Sequence, residues 1–273
     1  MNHSPKAIFF DIDGTLINRK GGPFEEDLAA MEEAAGQGHF LFINTGRSYA
    51  NIPRNIPLLP LWSGIAAGGG THVLLAGSLD RKKTGAEIRA KGEYKTLYHK
   101  WVDKETLSRI CSWYLESGKD LILEGENDCY VINLSDRSFS PSPARIITRD
   151  DDFLTRYQDD CITKLTVLRS ITMRERELLE SSFKIHEFEY YSEAIIKGET
   201  KAKAIGIALE AINVKQEDSI AIGDSANDID MLLYAGLGIA MGNADDRVKA
   251  ASDAVTGNCG EGGVAEAIKR YVL

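Results

Sequence analysis

The sequence has few cysteines, no long apolar run and a shortage of basic residues. Its four cysteines, Cys111, Cys129, Cys161 and Cys259, stand singly without a CxxC pair. This argues against zinc sites and disulfides and predicts reduced, mostly buried thiols. No apolar stretch reaches the roughly 18 residues that a membrane helix needs, and the first residues lack the apolar core of a signal peptide. We therefore expect a cytoplasmic protein without a membrane partner.

The charge balance limits the partners that the chain can bind. The 273 residues include 41 acidic and 32 basic side chains, which gives a formal net charge of −9 at pH 7. Nucleic acid binding depends on clusters of Lys and Arg that neutralise phosphates, so we expect no nucleic acid partner. A small anionic substrate is compatible with this charge, but it requires a local cation, either a metal or a well-placed lysine. The sequence gives no indication of the oligomeric state.

The order of apolar segments predicts an α/β fold. Short, continuously apolar runs are typical of parallel strands that helices cover on both faces. Such runs alternate with helical patterns at both ends of the chain, which predicts a doubly wound, Rossmann-like parallel-sheet core. The expected strands are 7–12, 40–44, 64–75, 219–223, 238–241 and 254–255. The expected helices are 25–37, 45–52, 201–212, 229–235, 245–250 and 263–271.

The middle of the chain has a different pattern. Its strands carry polar residues at every second position, as at Lys164 and Thr166, which predicts a sheet with one wet face. We therefore expect an inserted α+β cap domain over 84–191, within a discontinuous core of 1–83 plus 192–273. A cap would close over a site and read the substrate, whereas the alternative is an interaction module or dimer surface. Polar cap candidates for substrate contacts are Glu124, Glu126 and Asn127.

Two carboxylates follow the first predicted strand, in Asp11-Ile-Asp13-Gly-Thr-Leu16. Residues i and i+2 of an extended backbone face the same side, so both carboxylates lie at the carboxyl edge of the sheet, where open α/β sheets bind ligands. Two like charges this close favour a divalent cation between them. A calcium loop is the alternative, but it requires Glu at its twelfth position, where this chain has Gly22.

A second acidic group, Gly223-Asp-Ser-Ala-Asn-Asp228, follows another apolar strand. Asp224 can reach the same metal, while Asn227 and Asp228 would lie at a helix N-terminus, where free N–H groups favour anions. Taken alone, this segment is equally well explained as a helix N-cap after a glycine. Its pairing with the first motif favours the metal site.

Two donors complete the candidate site. Thr45-Gly46 follows the second strand and offers a hydroxyl and a backbone N–H to phosphate oxygens, and Lys201 offers a positive charge. Taken singly, such residues are usually a helix cap and a solvated lysine. Arg47 is equally ambiguous, and Lys203 competes with Lys201 for the charged role.

Together these residues resemble the haloacid dehalogenase superfamily of phosphotransferases. Its four motifs are DxDGT, a Thr or Ser after the second strand, a Lys and GDxxND, and all four occur here in that order. The resemblance covers essentially the whole chain, and the large insert makes it similar to the Cof-like subgroup, subclass IIB, of sugar-phosphate and cofactor phosphatases. The chain departs from that subgroup at Gly68-Gly69-Gly70, where Asn-Gly-Ala is usual, and at Lys201-Ala202, where Lys-Gly is usual.

The resemblance implies a magnesium-dependent phosphatase that hydrolyses a small phosphate monoester, a sugar phosphate or phosphorylated cofactor, through an aspartyl-phosphate. It implies that Asp11 is the nucleophile and Asp13 the acid and base. The implied metal ligands are Asp11, Asp13 through its carbonyl, and Asp224, with Asp228 in support. The implied phosphate-binding residues are Ile12, Thr45, Gly46, Arg47, Lys201 and Asn227. Two alternatives share these motifs: a phosphomutase with the same nucleophile, and a phosphate-sensing or partner-binding protein without turnover.

Overall fold

The computed structural model describes residues 4–53, 55–56, 61–76, 94–133, 144–147 and 160–273. The chain divides into two compact units, one of Met1–Gly46, Pro53–His99 and Thr200–Leu273 and the other of Arg47–Ile52 and Lys100–Glu199. The boundary that the sequence predicts at 83–84 lies outside the described residues. The domain ranges remain a prediction, and the structure groups residues 94–99 with the first unit and 192–199 with the second.

The described elements follow the predicted alternation. The strands are β1 Ala7–Phe10, β2 Phe40–Asn44, β3 Gly64–Ala67, β4 His72–Ala76, β5 Tyr94–His99, β6 Leu121–Glu124, β7 Cys129–Ile132, β8 Ala144–Ile147, β9 Lys164–Leu168, β10 Phe183–Glu187, β11 Tyr191–Ile196, β12 Ser219–Gly223, β13 Leu237–Ala240 and β14 Ala254–Val255. The helices are α1 Glu25–Gly36, α2 Lys104–Ser117, α3 Met173–Leu179, α4 Lys201–Ile212, α5 Ile229–Tyr234, α6 Asp246–Ala251 and α7 Gly263–Tyr271.

The first unit is built on one sheet, whose described strands lie in the order β14-β13-β12-β1-β2-β3-β4-β5. Neighbours from β14 to β3 are parallel, while β3-β4 and β4-β5 are antiparallel. The strand order runs outward in both directions from β1, which makes the carboxyl ends near β1 the place where such sheets bind ligands. The segment 64–75, predicted as one interrupted strand, is the β3-β4 hairpin.

Apolar side chains fill both faces of this sheet. Phe9 and Phe42 stack on neighbouring strands with ring centroids 4.9 Å apart, in a cluster that includes Ala204, Ile205 and Ala208 of α4. The alternate residues of β1 and β2 point to the opposite face and are also fully buried. The predicted α/β fold with a parallel-sheet core is therefore confirmed, and it follows from strands that are apolar at every position.

Helix α4 forms where its end signals place it. Thr200 caps the N-terminus because its hydroxyl accepts the Lys203 N–H at 3.0 Å, and Asn213 ends the helix in a left-handed conformation. The predicted helix through Ile52 is wrong, since the structure has only a 3-10 turn at Tyr49–Asn51. Ile52 is extended because the residue before a proline, here Pro53, disfavours the α conformation.

The second unit is an α+β fold whose sheet has the order β10-β11-β9-β6-β7-β8. The pairings are antiparallel except for β7-β8. One face of the sheet packs apolar residues such as Leu123 and Leu165 against Ile110 and Tyr114 of α2. The predicted α+β insertion is confirmed by this arrangement.

The prediction of a wet face is wrong for its central residues. Lys164 is only 2% exposed, and its Nζ lies 3.1 Å from Glu124 Oε1 and 2.7 Å from Glu193 Oε1. Glu124 also accepts from Thr166 Oγ1 at 2.7 Å and from Asn51 Nδ2 at 3.1 Å. A buried charge is tolerated when it is paired and hydrogen-bonded, and sequence alternation cannot reveal such pairing.

All four cysteines lie among the residues that the structure describes. Three of the four cysteines are buried and the fourth, Cys161, is partly buried, all as free thiols, as the sequence predicts. Within the part of the chain that the structure describes, every helix is too short or too polar to cross a lipid bilayer.

Candidate active site

The register of the parallel strands brings the two acidic motifs to one edge of the sheet. Phe10 of β1 pairs with Ile222 of β12 and with Ile43 of β2. Because parallel strands end on the same side, Asp11 is level with the ends of both neighbours. The Asp11 N–H donates to the Ile222 carbonyl at 3.0 Å, which extends the sheet by one residue and fixes the direction of the Asp11 side chain.

Lys201, at the start of α4, connects the two motifs. Its Nζ donates to Asp11 Oδ1 at 2.6 Å and to Asp228 Oδ1 at 2.5 Å. All three side chains are buried, so water screens this attraction little. Lys203 lies elsewhere: it is exposed, and its Nζ donates to Tyr98 Oη at 2.9 Å. The structure thus places Lys201, and not its competitor, at the acidic group.

Asp228 organises the loop that follows β12. Its Oδ2 accepts the N–H groups of Asp224 at 3.0 Å and Ser225 at 2.9 Å, while Oδ1 accepts from Lys201. Both carboxylate oxygens are therefore occupied by donors of the chain itself. This bonding holds the backbone of Asp224 in place beside Asp11.

The acidic residues form a group suited to a divalent cation. Asp11, Asp224 and Asp228 each offer a carboxylate oxygen within 4.8 Å of the others. Asp224 Oδ1 is buried and has no hydrogen-bond partner among the described residues. A buried acceptor without a partner is unfavourable, and oxygen donors are what Mg²⁺ prefers. The residues therefore fit a magnesium ion, which would satisfy this oxygen and offset the excess negative charge.

The pKa values of the group reflect its burial. Burial raises the pKa of Asp11, with the neighbouring Lys201 opposing and Asp228 and Asp224 adding to the rise. Burial, followed by repulsion from Asp228, raises the pKa of Asp224 to about 7. Burial acts to lower the pKa of Lys201, but the Asp11 and Asp228 carboxylates outweigh it and keep the lysine charged. Asp11 and Asp224 therefore bind protons more readily than free aspartates, as expected for clustered buried carboxylates.

Gly14 lets the first motif approach Asp224. Its φ is +84°, and a Cβ at this position would lie 2.1 Å from Asp224 Oδ2. Both the backbone conformation and the contact therefore require glycine. The turn is closed by the Gly14 N–H, which donates to the Ile17 carbonyl at 2.7 Å.

The remaining residues of the first motif lie in the same turn. The Ile12 carbonyl accepts the N–H groups of Leu16 and Ile17 at 2.9 Å each. The Asp13 side chain is exposed, next to the buried Asp11.

The Thr45-Gly46 segment, which follows β2, is held by the β3-β4 hairpin. Thr45 is buried, its N–H donates to the Ala66 carbonyl at 2.9 Å, and its own carbonyl accepts the Gly69 N–H at 3.0 Å. Gly70 has φ +100°, and a Cβ there would lie 2.1 Å from the Thr200 carbonyl oxygen. Gly70 thus lets this turn pack directly against the residue before Lys201, where a larger residue would collide.

The other predicted site residues have separate positions. Gly46 is buried directly after Thr45. Asn227 lies in the 3-10 turn after β12, where its Oδ1 accepts from Ser225 Oγ at 2.6 Å. Arg47 belongs to the second unit, and its Nη1 donates to the Asn51 carbonyl at 3.0 Å. Of the cap candidates, Glu124 is held by Lys164, and the backbone N–H groups of Glu126 and Asn127 donate to Asp160.

Two asparagines at this edge were missed by the sequence analysis. Asn44, fully buried, donates from Nδ2 to the Lys201 carbonyl at 3.1 Å. Asn243 donates from Nδ2 to the Gly14 carbonyl at 2.9 Å and to Asp224 Oδ2 at 3.3 Å. The sequence offers one indication of a role for these asparagines, which is that each lies at or just beyond the end of a predicted parallel strand.

The chain is similar to known proteins over almost its whole length. A family model described as haloacid dehalogenase-like hydrolase matches residues 8–268. A 5-amino-6-(5-phospho-D-ribitylamino)uracil phosphatase of Bacillus subtilis is 28% identical over 98% of this chain and 96% of its own length. A solved structure of a sugar phosphatase of HAD subclass IIB is 25% identical, with a TM-score of 0.76 over 97% of this chain and 98% of the other.

A longer relative is also similar. The chloroplastic endoribonuclease YBEY of Arabidopsis thaliana is 27% identical over 97% of this chain, but the chain spans only 46% of that protein's length.

Proposed function

Since the chain belongs to the haloacid dehalogenase-like hydrolases, in the Cof-like subgroup, we propose that it is a magnesium-dependent phosphatase using Asp11 as its nucleophile. Two relatives from Bacillus subtilis are named phosphatases, and the chain is a phosphoric monoester hydrolase of the same superfamily. The proposed substrate is a small phosphate monoester, either a sugar phosphate or a phosphorylated cofactor. The subclass IIB sugar phosphatase supports the first class by its name, and the name of the B. subtilis relative, a phosphatase of a phosphoribitylaminouracil, supports a small phosphate monoester.

One observation carries the proposal. The Asp11 carboxylate is buried at the carboxyl end of β1, 2.6 Å from Lys201 Nζ, in a group of three carboxylates that fits a divalent cation. A carboxylate nucleophile needs a cation nearby so that an anionic phosphate can approach it. A purely structural ion pair would not require the additional Asp224, whose Oδ1 accepts no hydrogen bond from the residues that the structure describes.

The reaction proceeds in two steps on Asp11. Its carboxylate oxygen attacks phosphorus in line, the bond from phosphorus to the ester oxygen breaks, and Asp13 gives a proton to the leaving alcohol. Asp13 then takes a proton from a water whose oxygen attacks the aspartyl-phosphate, which releases phosphate and restores Asp11. Asp13 suits this role because its side chain is exposed two residues after the buried nucleophile.

The residues proposed to hold magnesium are Asp11, the Asp13 carbonyl and Asp224. Asp228 acts in support, since both of its oxygens already accept hydrogen bonds from the chain. When bound, the ion neutralises charge on the phosphoryl oxygens and on the nucleophile.

Phosphoryl transfer depends mostly on positioning and electrostatics. Lys201 supplies a positive charge that burial and two carboxylates keep fixed. The other residues proposed to hold the transferring group are Ile12, Thr45, Gly46, Arg47 and Asn227. The inserted domain, placed by the sequence at 84–191, is proposed to select the rest of the substrate, and we propose that the protein acts in the cytoplasm without a nucleic acid or membrane partner.

The test is hydrolysis of p-nitrophenyl phosphate and of a panel of sugar phosphates, nucleotides, flavin mononucleotide and pyridoxal phosphate. We expect release of inorganic phosphate with Mg²⁺, loss of release in EDTA, and no turnover in Asp11→Asn. The matched control is Asp230→Asn, because this carboxylate contacts the Ala202 and Met231 N–H groups and lies outside the acidic group. Near-normal turnover in Asp11→Asn would refute the covalent mechanism, and isomer conversion without phosphate release would indicate a mutase.

A further inference from the structure

Asn243 lies in the turn after β13, at the edge where the acidic motifs meet. Its side chain contacts three segments: the Gly14 carbonyl, the Asp224 carboxylate and the Cys259 N–H. None of the motifs discussed above includes it. We propose that Asn243 is a positioning residue that holds the Asp224 carboxylate for metal binding, an inference that rests on the proposed function.

The orientation of the Asn243 amide follows from its partners. The Cys259 backbone N–H can only donate, and it donates to Asn243 Oδ1 at 2.8 Å. The amide nitrogen therefore faces the opposite way, toward two acceptors, the Gly14 carbonyl at 2.9 Å and Asp224 Oδ2 at 3.3 Å. A flipped amide would lose all three hydrogen bonds, so the three contacts define one orientation.

This contact divides the roles of the two Asp224 oxygens. Oδ2 is the oxygen that Asn243 contacts and that lies against Gly14. Oδ1 is buried, and within the described part of the chain it has no hydrogen-bond donor. With Oδ2 restrained, the carboxylate cannot rotate freely, and Oδ1 stays available to a cation. The same amide restrains the Gly14 carbonyl, so Asn243 connects Asp224 to the turn that carries Asp11 and Asp13.

A neutral amide suits this position better than a charged donor. A lysine here would satisfy Asp224 electrostatically and so compete with a metal, whereas the amide donates without neutralising the carboxylate. Residues that orient metal ligands typically contribute tenfold to a hundredfold in metal affinity. Because Asn243 is exposed, water can partly replace its hydrogen bonds, so we expect the lower end, about tenfold.

The experiment measures Mg²⁺ binding without substrate, by isothermal titration calorimetry, in the full-length wild type, Asn243→Ala and Asn258→Ala. Asn258 is the matched control because its amide donates to Glu261 at 2.8 Å in the adjacent loop. We expect the dissociation constant for Mg²⁺ to rise about tenfold in Asn243→Ala and to stay unchanged in Asn258→Ala. In turnover, the concentration of Mg²⁺ for half-maximal rate should rise similarly, with most of kcat recovered at saturating Mg²⁺.

A purely structural Asn243 would give a different pattern. Unchanged Mg²⁺ affinity, with only a lower unfolding temperature in EDTA, would overturn the inference while leaving the proposed function intact. A wild type that neither binds Mg²⁺ nor hydrolyses phosphate esters would overturn both. If Asn243→Ala does not fold, Asn243→Leu keeps the side-chain volume without its hydrogen bonds, and the same change in affinity is expected.

Discussion

Replacing Lys201 by methionine is the most direct perturbation of the candidate site. Methionine keeps an apolar stem but removes the charge that Asp11 and Asp228 share. The side chains of Lys201, Asp11 and Asp228 are 2%, 7% and 0% exposed, so water cannot compensate for the lost cation. Removing one partner of a buried ion pair costs about 3–5 kcal/mol. At roughly 2–4 °C per kcal/mol for a domain of this size, we expect the unfolding temperature in EDTA to fall by about 6–20 °C.

Magnesium should reverse part of this loss. With Lys201 gone, the carboxylates of the acidic group repel one another, and a divalent cation bound only in the folded state restores stability by mass action. The assay compares thermal and urea unfolding at pH 8 in EDTA and in Mg²⁺. The control is Lys203→Met, since this lysine is exposed and its Nζ lies over the Tyr98 ring at 4.4 Å from the centroid, and such a contact contributes about 0.5–1 kcal/mol. Wild-type stability of Lys201→Met in EDTA would refute the reasoning.

Three further changes test other features. Gly14→Ala should destabilise the fold by at least about 1–2 kcal/mol and weaken Mg²⁺ binding in calorimetry, because its φ is +84° and a Cβ would collide with Asp224. Burial and His99 lower the pKa of His72 from 6.5 to about 4. The contribution of neutral His72 to the free energy of unfolding is therefore fully present above pH 6.5 and is lost as pH falls toward 4. His72→Phe should remove up to about 3 kcal/mol of that loss in urea titrations at successive pH values. Asp160→Ala should destabilise the second unit by about 1–3 kcal/mol in thermal unfolding, because its carboxylate accepts the N–H groups of residues 126–128, whereas Asp160→Asn should cost less.

The sheet and its acidic edge were predictable because parallel strands impose simple rules. Apolar runs identified β1, β2 and β12, and the carboxyl ends of parallel strands lie on the same side of a sheet. Asp11 and Asp224 were therefore expected at one edge, and the structure puts their carboxylates in one group. The choice between Lys201 and Lys203 was not available from sequence, since it depends on which side of the first turn of α4 faces the sheet.

Other features depend on contacts that no local pattern shows. Lys164 was expected to face water, because alternation records polarity and not pairing, yet Glu124 and Glu193 compensate its charge in the interior. The sequence did not predict a role for Asn44 and Asn243 at the site, because an amide after a strand is common in loops. Only the register of distant segments shows that they contact Lys201 and Asp224.

The separation of Asp11 from Lys201 along the chain has a consequence during synthesis. The two residues are 190 positions apart, and at roughly 5–20 residues per second the ribosome needs about 10–40 s to make the intervening chain. Throughout that interval β1 lacks β12, its partner on one side, and Asp11 has no cation from Lys201. Until β12 is made, the nascent protein therefore carries an unpaired apolar strand edge, the kind of surface that can pair with another chain.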